Sequence, residues 1–168
     1  LEIHYDADLP AKTGVGSSSS FTVGFINALK ALSGELIEKN DLAKLAINLE
    51  QNIMKENVGA QDQILAAYGD FNKIELNTDD SFNVTPITLD PERLNSLQNH
   101  FMLCFTGITR IASDVVEDQL QNMKNVTRHY KSIYNLVDEA LSIIKAPNSS
   151  ILEIGKLLHE SWLLKRGL

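Results

Sequence analysis

A glycine- and serine-rich loop between an extended segment and an apolar helix most constrains what this chain can form. The loop spans residues 10–20, reads Pro-Ala-Lys-Thr-Gly-Val-Gly-Ser-Ser-Ser-Ser, and leads directly into the apolar run 21–32. Its two glycines, Gly14 and Gly16, let the backbone turn tightly and approach a ligand closely. The serines supply hydroxyls and backbone N–H groups at the positive end of a helix dipole. The loop therefore predicts a site for the phosphates of a nucleotide or a phosphorylated substrate.

The loop matches none of three other well-known site motifs. It lacks the Gly-Lys-Ser/Thr of a Walker A loop, and Ser19 replaces the third glycine of a dinucleotide-binding fingerprint. The chain also has no Gly-x-Ser-x-Gly hydrolase elbow. A flexible linker is the alternative, although such linkers rarely join a strand to an apolar helix. The predicted phosphate-binding residues are Gly14, Val15, Gly16, Ser17, Ser18, Ser19 and Ser20.

Composition and charge exclude several classes of protein. With 43% hydrophobic and 22% charged residues, the chain has enough apolar material for a folded core. A net charge of −7 argues against a nucleic-acid-binding surface. No stretch approaches membrane-spanning length and no signal peptide is recognisable, so we predict a cytoplasmic protein that does not bind membranes. Cys104 lies within the apolar run 101–105, which predicts a buried, inert thiol.

Hydrophobic periodicity predicts an α+β chain with helices grouped after short strands. The predicted helices cover residues 17–32, 41–55, 61–68, 91–97, 112–121, 126–145 and 150–165, with Asp41 as the N-cap of the second. The predicted strands cover residues 1–5, 71–76, 84–89 and 101–105, and the last is expected to be buried on both faces. A boundary near residues 97–100 separates two lobes. The apolar face of helix 126–145 is expected to pack into the core, with a homodimer contact as the alternative.

Phosphoryl transfer needs a metal ion and a proton acceptor beside the phosphates, and two carboxylates of this chain are candidates for these roles. Glu50 lies in the last turns of one predicted helix and Asp62 at the start of the next, so the turn between them can bring both to one cleft. Oxygen ligands suit Mg²⁺, which rarely takes a complete protein cage. The alternatives are a solvated helix acid for Glu50 and a helix cap for Asp62.

The motif Pro-x-x-x-Gly-Val-Gly-Ser-Ser-Ser resembles the central motif of the GHMP small-molecule kinases, which include galactokinase, homoserine kinase and mevalonate kinase. Further segments resemble the D-glycero-D-manno-heptose 7-phosphate kinase branch, with fucokinase-type enzymes as relatives. These segments are Gly59-Ala60-Gln61-Asp62-Gln63, Tyr68-Gly69-Asp70-Phe71-Asn72, Phe105-Thr106-Gly107-Ile108-Thr109-Arg110 and Leu158-His159-Glu160-Ser161-Trp162. The resemblance implies a first lobe like ribosomal protein S5 domain 2 and a ferredoxin-like second lobe, both incomplete. Residues 1–97 would end the ATP-binding domain, and residues 98–168 would begin the C-terminal domain.

The resemblance also implies roles for individual residues. Asp62 matches the catalytic aspartate of a Gly-x-x-Asp-Gln motif, and Glu50, a dozen positions earlier, matches a Mg²⁺ ligand. Ser18 would be the second Mg²⁺ ligand, and ATP the phosphate donor. Three further residues are candidate substrate contacts on other grounds. Lys12 is the cation beside the loop, although the family commonly has a small residue or glycine there, and a solvent-facing lysine is the alternative. Thr106 and Arg110 follow the predicted buried strand, where loop residues often reach into a cleft, and a locally paired Arg110 is the alternative.

The implied function is an ATP-dependent kinase that phosphorylates a hydroxyl, expected to be the anomeric one, of a heptose phosphate. A fucokinase-like enzyme acting on an unphosphorylated sugar is one alternative. A catalytically silent ligand-sensing relative is another, although a sensor would not need Asp62. Because the family's first strand-loop and final glycine-rich motif are not recognised, we expect an internal portion of the enzyme that is inactive alone.

Overall fold

The computed structural model describes residues 2–4, 6, 14–104 and 127–166. These residues form two compact units, one ending at Ile87 and the other beginning at Thr88. The first unit contains helices α1 (Ser17–Leu32), α2 (Lys39–Asn48) and α3 (Gln61–Tyr68), and strands β1 (Asn72–Leu76) and β2 (Phe82–Pro86). The second contains α4 (Pro91–Asn99), α5 (Thr127–Lys145) and α6 (Leu152–Lys165). This mixture confirms the predicted α+β class. The predicted helix 112–121 lies outside the described residues.

Helix α1 begins and ends where the sequence predicts, because a glycine marks each end. Gly16 is the N-cap, with φ 70° and ψ 19°, in the left-handed region that glycine adopts without a steric penalty. At the other end the N–H of Gly34, at φ 75°, donates to the carbonyl of Ala31 at 3.0 Å. A left-handed glycine just after the last helical residue is a common helix stop.

Helix α2 differs from its prediction at both ends. Its N-cap is Glu38, whose carbonyl accepts from the N–H of Leu42 at 2.9 Å, so the prediction that Asp41 is the cap is wrong. Asp41 instead lies in the first turn, where its charge favours the helix dipole. The α-helix stops at Asn48 and continues as a π-helical turn, Leu49–Ile53.

The three helices of the first unit pack against one another and form its core. Residues four apart lie on one face of a helix, and α2 places Leu42 and Ala46 inward in this way. Together with Val23 of α1 they form the buried cluster. Four partly buried residues complete it: Ile26, Ile37, Ala66 and Ala67.

Strands β1 and β2 form an antiparallel hairpin, with Ile74 opposite Val84 and Leu76 opposite Phe82. This is the only sheet in the described part of the chain. Both strands were predicted, but each is displaced by a residue or more from its expected bounds. The hairpin extends by one bond, from the N–H of Ile87 to the carbonyl of Phe71 at 2.9 Å.

Two predicted strands are wrong within the described residues. Residues 101–104 form no strand, and Phe101, Met102 and Leu103 are 53%, 86% and 83% exposed. Cys104 is also exposed, so the prediction of a buried thiol is wrong. Residues 2–4 form no strand either, while positions 1, 5 and 105 lie outside the described residues. An apolar run becomes a buried strand only where neighbouring strands pair with it, and none does so here.

The second unit is organised around the start of α4 and the end of α5. The Asp90 side chain caps α4 by accepting from the backbone N–H of Arg93 at 2.8 Å, and Pro91 occupies the first helical position. Helices α5 and α6 pack together and bury Ile144, Ile154 and Leu157. In the described part of the chain, no helix combines the length and apolar character needed to cross a lipid bilayer.

Candidate functional site

The glycine loop presents the first turn of α1 to solvent. Gly14 and Gly16 both have positive φ, 74° and 70°, so the backbone turns at each before the helix begins. No side chain caps α1, and the N–H groups of a first helical turn have no partner within the helix. Ser18 and Ser20 are exposed, while Ser19 is buried. The first turn of α1 thus offers backbone donors and the positive end of a dipole to an anion.

The carboxyl group of Asp62 lies against the backbone of Gly16. A Cβ atom placed on Gly16 would stand 3.2 Å from both Cγ and Oδ2 of Asp62. That separation is tighter than nine in ten real Cβ contacts, and the left-handed φ adds strain for any other residue. Glycine is therefore required here to let the start of α3 approach the start of α1.

The structure argues against a capping role for Asp62. The N-cap of α3 is Ala60, and no side chain hydrogen-bonds to that helix end. Asp62 occupies the second helical position and is exposed, so its carboxyl group points into the space beside the loop. An aspartate at this place can accept a proton from, or orient, a hydroxyl group bound next to the phosphates.

Behind the loop, three buried side chains form a hydrogen-bonded group that we call the Glu50 cluster: Ser19, Glu50 and Gln63. Their exposures are 6%, 1% and 0%, and they come from α1, the π-helical turn and α3. Ser19 Oγ donates to Glu50 Oε2 at 2.9 Å, and Gln63 Nε2 donates to the same oxygen. One carboxylate oxygen is thus held by two neutral donors from two different helices.

Local structure explains how Glu50 becomes buried. It follows Leu42 and Ala46 at four-residue intervals, so the inward face of α2 carries it toward the interior. The π-helical turn, closed by the N–H of Met54 and the carbonyl of Leu49 at 2.8 Å, widens the helix at this point. Such turns occur frequently at functional sites. Beyond it, Lys55 has φ 57° and begins the chain's return toward α3.

The other oxygen of Glu50 has no hydrogen-bond partner in the described part of the chain. Oε1 of Glu50 and Oε1 of Gln63 are both buried and unpartnered. A buried carboxylate is costly unless it is paired with a cation or fully hydrogen-bonded, and Ser19 and Gln63 are neutral. A carboxylate oxygen without a hydrogen-bond partner among the described residues has the chemistry of a Mg²⁺ ligand, because Mg²⁺ binds one or two protein carboxylates together with oxygens of substrate and water. No group of three or more histidine, cysteine or acidic side chains capable of holding a metal occurs among the described residues.

The structure thus brings the two predicted carboxylates and the predicted loop to one side of the helical core. Ser19 donates a hydrogen bond to Glu50, which was not predicted, while Ser18, the predicted second Mg²⁺ ligand, is exposed. The role of Ser18 stays a prediction. The predicted substrate residues Lys12, Thr106 and Arg110 lie outside the described residues.

Sequence reasoning did not assign a role to Gln63. A signal existed, since Gln63 precedes Ala66 and Ala67 by three and four positions and therefore shares their inward face. A glutamine on a buried helix face needs a polar partner, and Glu50 is the partner that the fold supplies.

Comparison with known proteins agrees with the resemblance predicted above. Residues 1–70 match the family model described as the GHMP kinases N terminal domain. The chain is 27% identical over 167 residues to the D-glycero-alpha-D-manno-heptose 7-phosphate kinase of Campylobacter jejuni, covering 99% of this chain and 49% of that protein. It is 28% identical over 182 residues to the bifunctional fucokinase/GDP-fucose pyrophosphorylase of Arabidopsis thaliana, covering 100% and 16% respectively.

A solved structure has the same fold. The crystal structure of a D-glycero-D-manno-heptose 1-phosphate kinase from Bacteroides thetaiotaomicron superposes with a TM-score of 0.74 at 24% identity, over 96% of this chain and 46% of that one. The predicted kinase fold is therefore confirmed. The chain spans about half the length of each of the two heptose phosphate kinases.

Proposed function

Because residues 1–70 match the family model of the GHMP kinase N-terminal domain, we propose that the protein is an ATP-dependent sugar kinase. The reaction transfers the γ-phosphoryl group of ATP to a sugar hydroxyl. The observation that carries the proposal is the contact between the Asp62 carboxyl group and Gly16. It brings a proton acceptor to the phosphate loop, and phosphoryl transfer needs these two parts side by side.

In this proposal the glycine loop holds the phosphates of ATP. Backbone N–H groups of the first turn of α1 donate to the phosphate oxygens, and the helix dipole favours their negative charge. The chain has a net charge of −7, so a phosphate has to be stabilised by local groups rather than by the overall field. Burial of the Ser19 hydroxyl against Glu50 leaves the backbone of Ser19, and the side chains of Ser18 and Ser20, for the ligand.

Glu50 is the proposed Mg²⁺ ligand, through its unpartnered Oε1, with Ser18 as the second candidate ligand. The ion, when bound, would neutralise charge on the β- and γ-phosphates. Asp62 is the proposed catalytic residue, which accepts or orients the proton of the acceptor hydroxyl. Asp62 and Gln63 are consecutive in α3, so one helix carries both the catalytic group and a contact to Glu50.

The proposed substrate is a heptose phosphate, phosphorylated on its anomeric hydroxyl. The similarity to two heptose phosphate kinases, which extends over at least 96% of this chain, supports this substrate class. Lys12, Thr106 and Arg110 remain proposed substrate contacts, and residues 1–97 and 98–168 the proposed domains. The fucokinase of Arabidopsis thaliana, matched over the whole chain, favours a second candidate: a kinase for an unphosphorylated sugar.

The full-length protein should be incubated with ATP, Mg²⁺ and each of three sugars: D-glycero-D-manno-heptose 7-phosphate, L-fucose and D-galactose. Phosphorus NMR of the products identifies both the substrate and the hydroxyl that is phosphorylated. We expect a new anomeric phosphate on the heptose phosphate. Product from L-fucose alone would favour the second candidate. ATP binding without phosphorylation of any sugar would contradict the kinase proposal and favour a ligand-sensing relative.

A further inference from the structure

We propose that Gln63 is a positioning residue that, together with Ser19, holds one oxygen of Glu50 and so directs the other toward the divalent cation. This inference rests on the proposed kinase function and assigns a role to a residue that touches neither substrate nor nucleotide. It starts from an asymmetry in the Glu50 cluster. Both donors contact Oε2, and Oε1 has no partner among the described residues.

The chemistry of the two side chains fixes the orientation of the Gln63 amide. An ionised carboxylate only accepts hydrogen bonds, so Gln63 must present its NH₂ group to Glu50. Its own carbonyl oxygen, Oε1, is then directed elsewhere and is buried without a hydrogen-bond partner in the described part of the chain. Gln63 thus makes the hydrogen bond to Glu50 although its own carbonyl oxygen is left without a partner among the described residues, which is unfavourable for a buried polar atom.

A purely structural role does not explain this arrangement. The side chain of Gln63, on α3, is fully buried. An apolar side chain of similar size would fill the same volume without burying an amide. What the amide adds is a donor that acts on Oε2 of Glu50. Two donors from separate helices fix the carboxyl plane, because rotation of the carboxylate would break at least one of the bonds.

The position of Gln63 also ties the cluster to Asp62. Consecutive residues of an α-helix point about 100° apart, since a helix has about 3.6 residues per turn. Helix α3 therefore directs Asp62 toward Gly16 and Gln63 toward Glu50 from neighbouring positions. Groups that orient a metal ligand in this way commonly change metal affinity when they are removed.

The test measures Mn²⁺ binding to the full-length protein by electron paramagnetic resonance, which reports the free ion without requiring turnover. The variants are Gln63→Leu and Ser19→Ala, with Glu50→Gln as the reference for loss of the ligand. We expect the Mn²⁺ dissociation constant to rise roughly 10–100-fold in Gln63→Leu, the usual range for groups that orient a ligand. Ser19→Ala should change it in the same direction. The Michaelis constant for ATP at saturating metal should not change.

Gln51→Leu is the matched control. Gln51 follows Glu50 directly in the sequence and is partly buried. Its Nε2 donates to the carbonyl of Val58 at 2.9 Å rather than to Glu50. This variant disturbs the same segment without removing a bond to Glu50, so Mn²⁺ affinity should stay near wild type. An equal loss of affinity in Gln51→Leu and Gln63→Leu would overturn the proposal, because the effect would then come from the fold.

The remaining outcomes separate this inference from the proposed function. If Glu50→Gln loses Mn²⁺ while Gln63→Leu and Ser19→Ala bind it like wild type, the positioning role is wrong and the metal role of Glu50 stands. If Glu50→Gln also binds like wild type, the metal assignment fails and this inference fails with it. Should Gln63→Leu not fold, as judged by circular dichroism, Ser19→Ala decides, since it removes only one hydroxyl.

Discussion

Glu50 in the first unit is buried and Arg93 in the second unit is partly buried, and these two charged side chains are hydrogen-bonded in different ways. In the second unit, partly buried Arg93 donates to three backbone carbonyls: Nε to Ile144 at 3.1 Å, Nη1 to Ser149 at 2.7 Å and Nη2 to Ile143 at 2.6 Å. These carbonyls lie at and just after the end of α5, where carbonyls lack helical partners and a cation is favourable. The guanidinium therefore serves the fold.

In the first unit, only one of the two oxygens of the buried carboxylate takes part in hydrogen bonds among the described residues. Glu50 is 1% exposed, but only Oε2 accepts hydrogen bonds within the described residues, from Ser19 and Gln63. A charge that is fully hydrogen-bonded stabilises structure, whereas a buried oxygen left without a partner is available to a ligand. The comparison predicts that substitutions in the Glu50 region change function more than stability, and that substitution of Arg93 does the reverse.

The largest expected effect follows removal of the carboxylate beside the loop. Asp62→Asn preserves the size of the side chain but removes its ability to take up a proton. We expect kcat to fall roughly 10²–10⁴-fold, the usual loss for a positioned acid or base. Thermal stability should stay near wild type, because no hydrogen bond from Asp62 caps α3. Steady-state kinetics and calorimetry measure both quantities.

Asp41→Asn is the control, since Asp41 is also exposed and lies in the first turn of α2. It should leave kcat unchanged. A normal kcat in Asp62→Asn, combined with reduced stability, would show that Asp62 has a structural role. It would contradict the prediction that substitutions in this region change function more than stability.

The second effect concerns the buried carboxylate itself. Glu50→Gln keeps the volume but removes the charge, so the apparent Mg²⁺ requirement of catalysis should rise more than about 100-fold, beyond the range for residues that only orient a ligand. The unfolding temperature without metal should be equal to or higher than that of wild type, because a buried charge with neutral donors is costly. Titration of activity with Mg²⁺ and a metal-free melt test the two statements.

Exposed Glu56, converted to glutamine, supplies the matched control and should change neither result. A clear loss of stability in metal-free Glu50→Gln would mean that Glu50 serves the fold as Arg93 does.

A smaller effect is expected in the second unit, on stability alone. Arg93→Lys retains the charge, but an ammonium group cannot reproduce the three divergent hydrogen bonds of the guanidinium. We expect the free energy of unfolding to fall by about 1.5–3 kcal/mol, the range for hydrogen bonds to charged groups. Urea denaturation measures the loss, and Mn²⁺ affinity should not change.

Lys156→Ala is the corresponding surface control, because Lys156 forms an exposed ion pair with Glu153 at 2.7 Å. Its effect should stay within about 0.5 kcal/mol. If Arg93→Lys lowers the free energy of unfolding by no more than this, the hydrogen bonds from Arg93 to the end of α5 contribute little to the stability of the fold.

The smallest effect concerns a fully exposed charge in the β1–β2 turn. The Ser81 hydroxyl, and then the Ser81 backbone N–H, donate to Asp79 and lower the pKa of its carboxyl group below the ordinary value of 3.8. A depressed pKa gives stability that is present above the ordinary value and is lost as the pH falls through the folded value. NMR titration should find that Ser81→Ala raises the Asp79 pKa and that Ser81→Thr, which retains a hydroxyl, does not.

Much of the site could be predicted because its parts depend on local signals. Gly16 and Gly34 bound α1 at the predicted residues, and α3 occupies its predicted range of 61–68. The glycine loop, Glu50 and Asp62 were identified from motif and interval. The fold class was also predicted, and residues 1–70 match the family model that the loop motif indicated. These features depend on backbone freedom and on side-chain types a few positions apart, which the sequence displays directly.

Other features could not be read from local pattern. The apolar run 101–104 has the composition of a buried strand and yet is exposed, because burial requires partner strands that only the assembled chain supplies. The end of α2 was misjudged for a similar reason. Its change to a π-helical turn at Leu49 accompanies the packing of α2 against α1 and α3, which helix propensity does not describe.

The sequence by itself determined which residue types stand at the candidate site: a loop of glycines and serines, two acids a dozen positions apart, and the helices that carry them. Only the tertiary structure decided which atoms meet. Ser19 contacts Glu50, Gln63 completes the Glu50 cluster, and one oxygen of the Glu50 carboxylate has no hydrogen-bond partner among the described residues. The physical reason is the range of each interaction. Turn and helix signals act over a few residues, whereas hydrogen bonds between side chains 13 and 31 positions apart depend on how the helices pack.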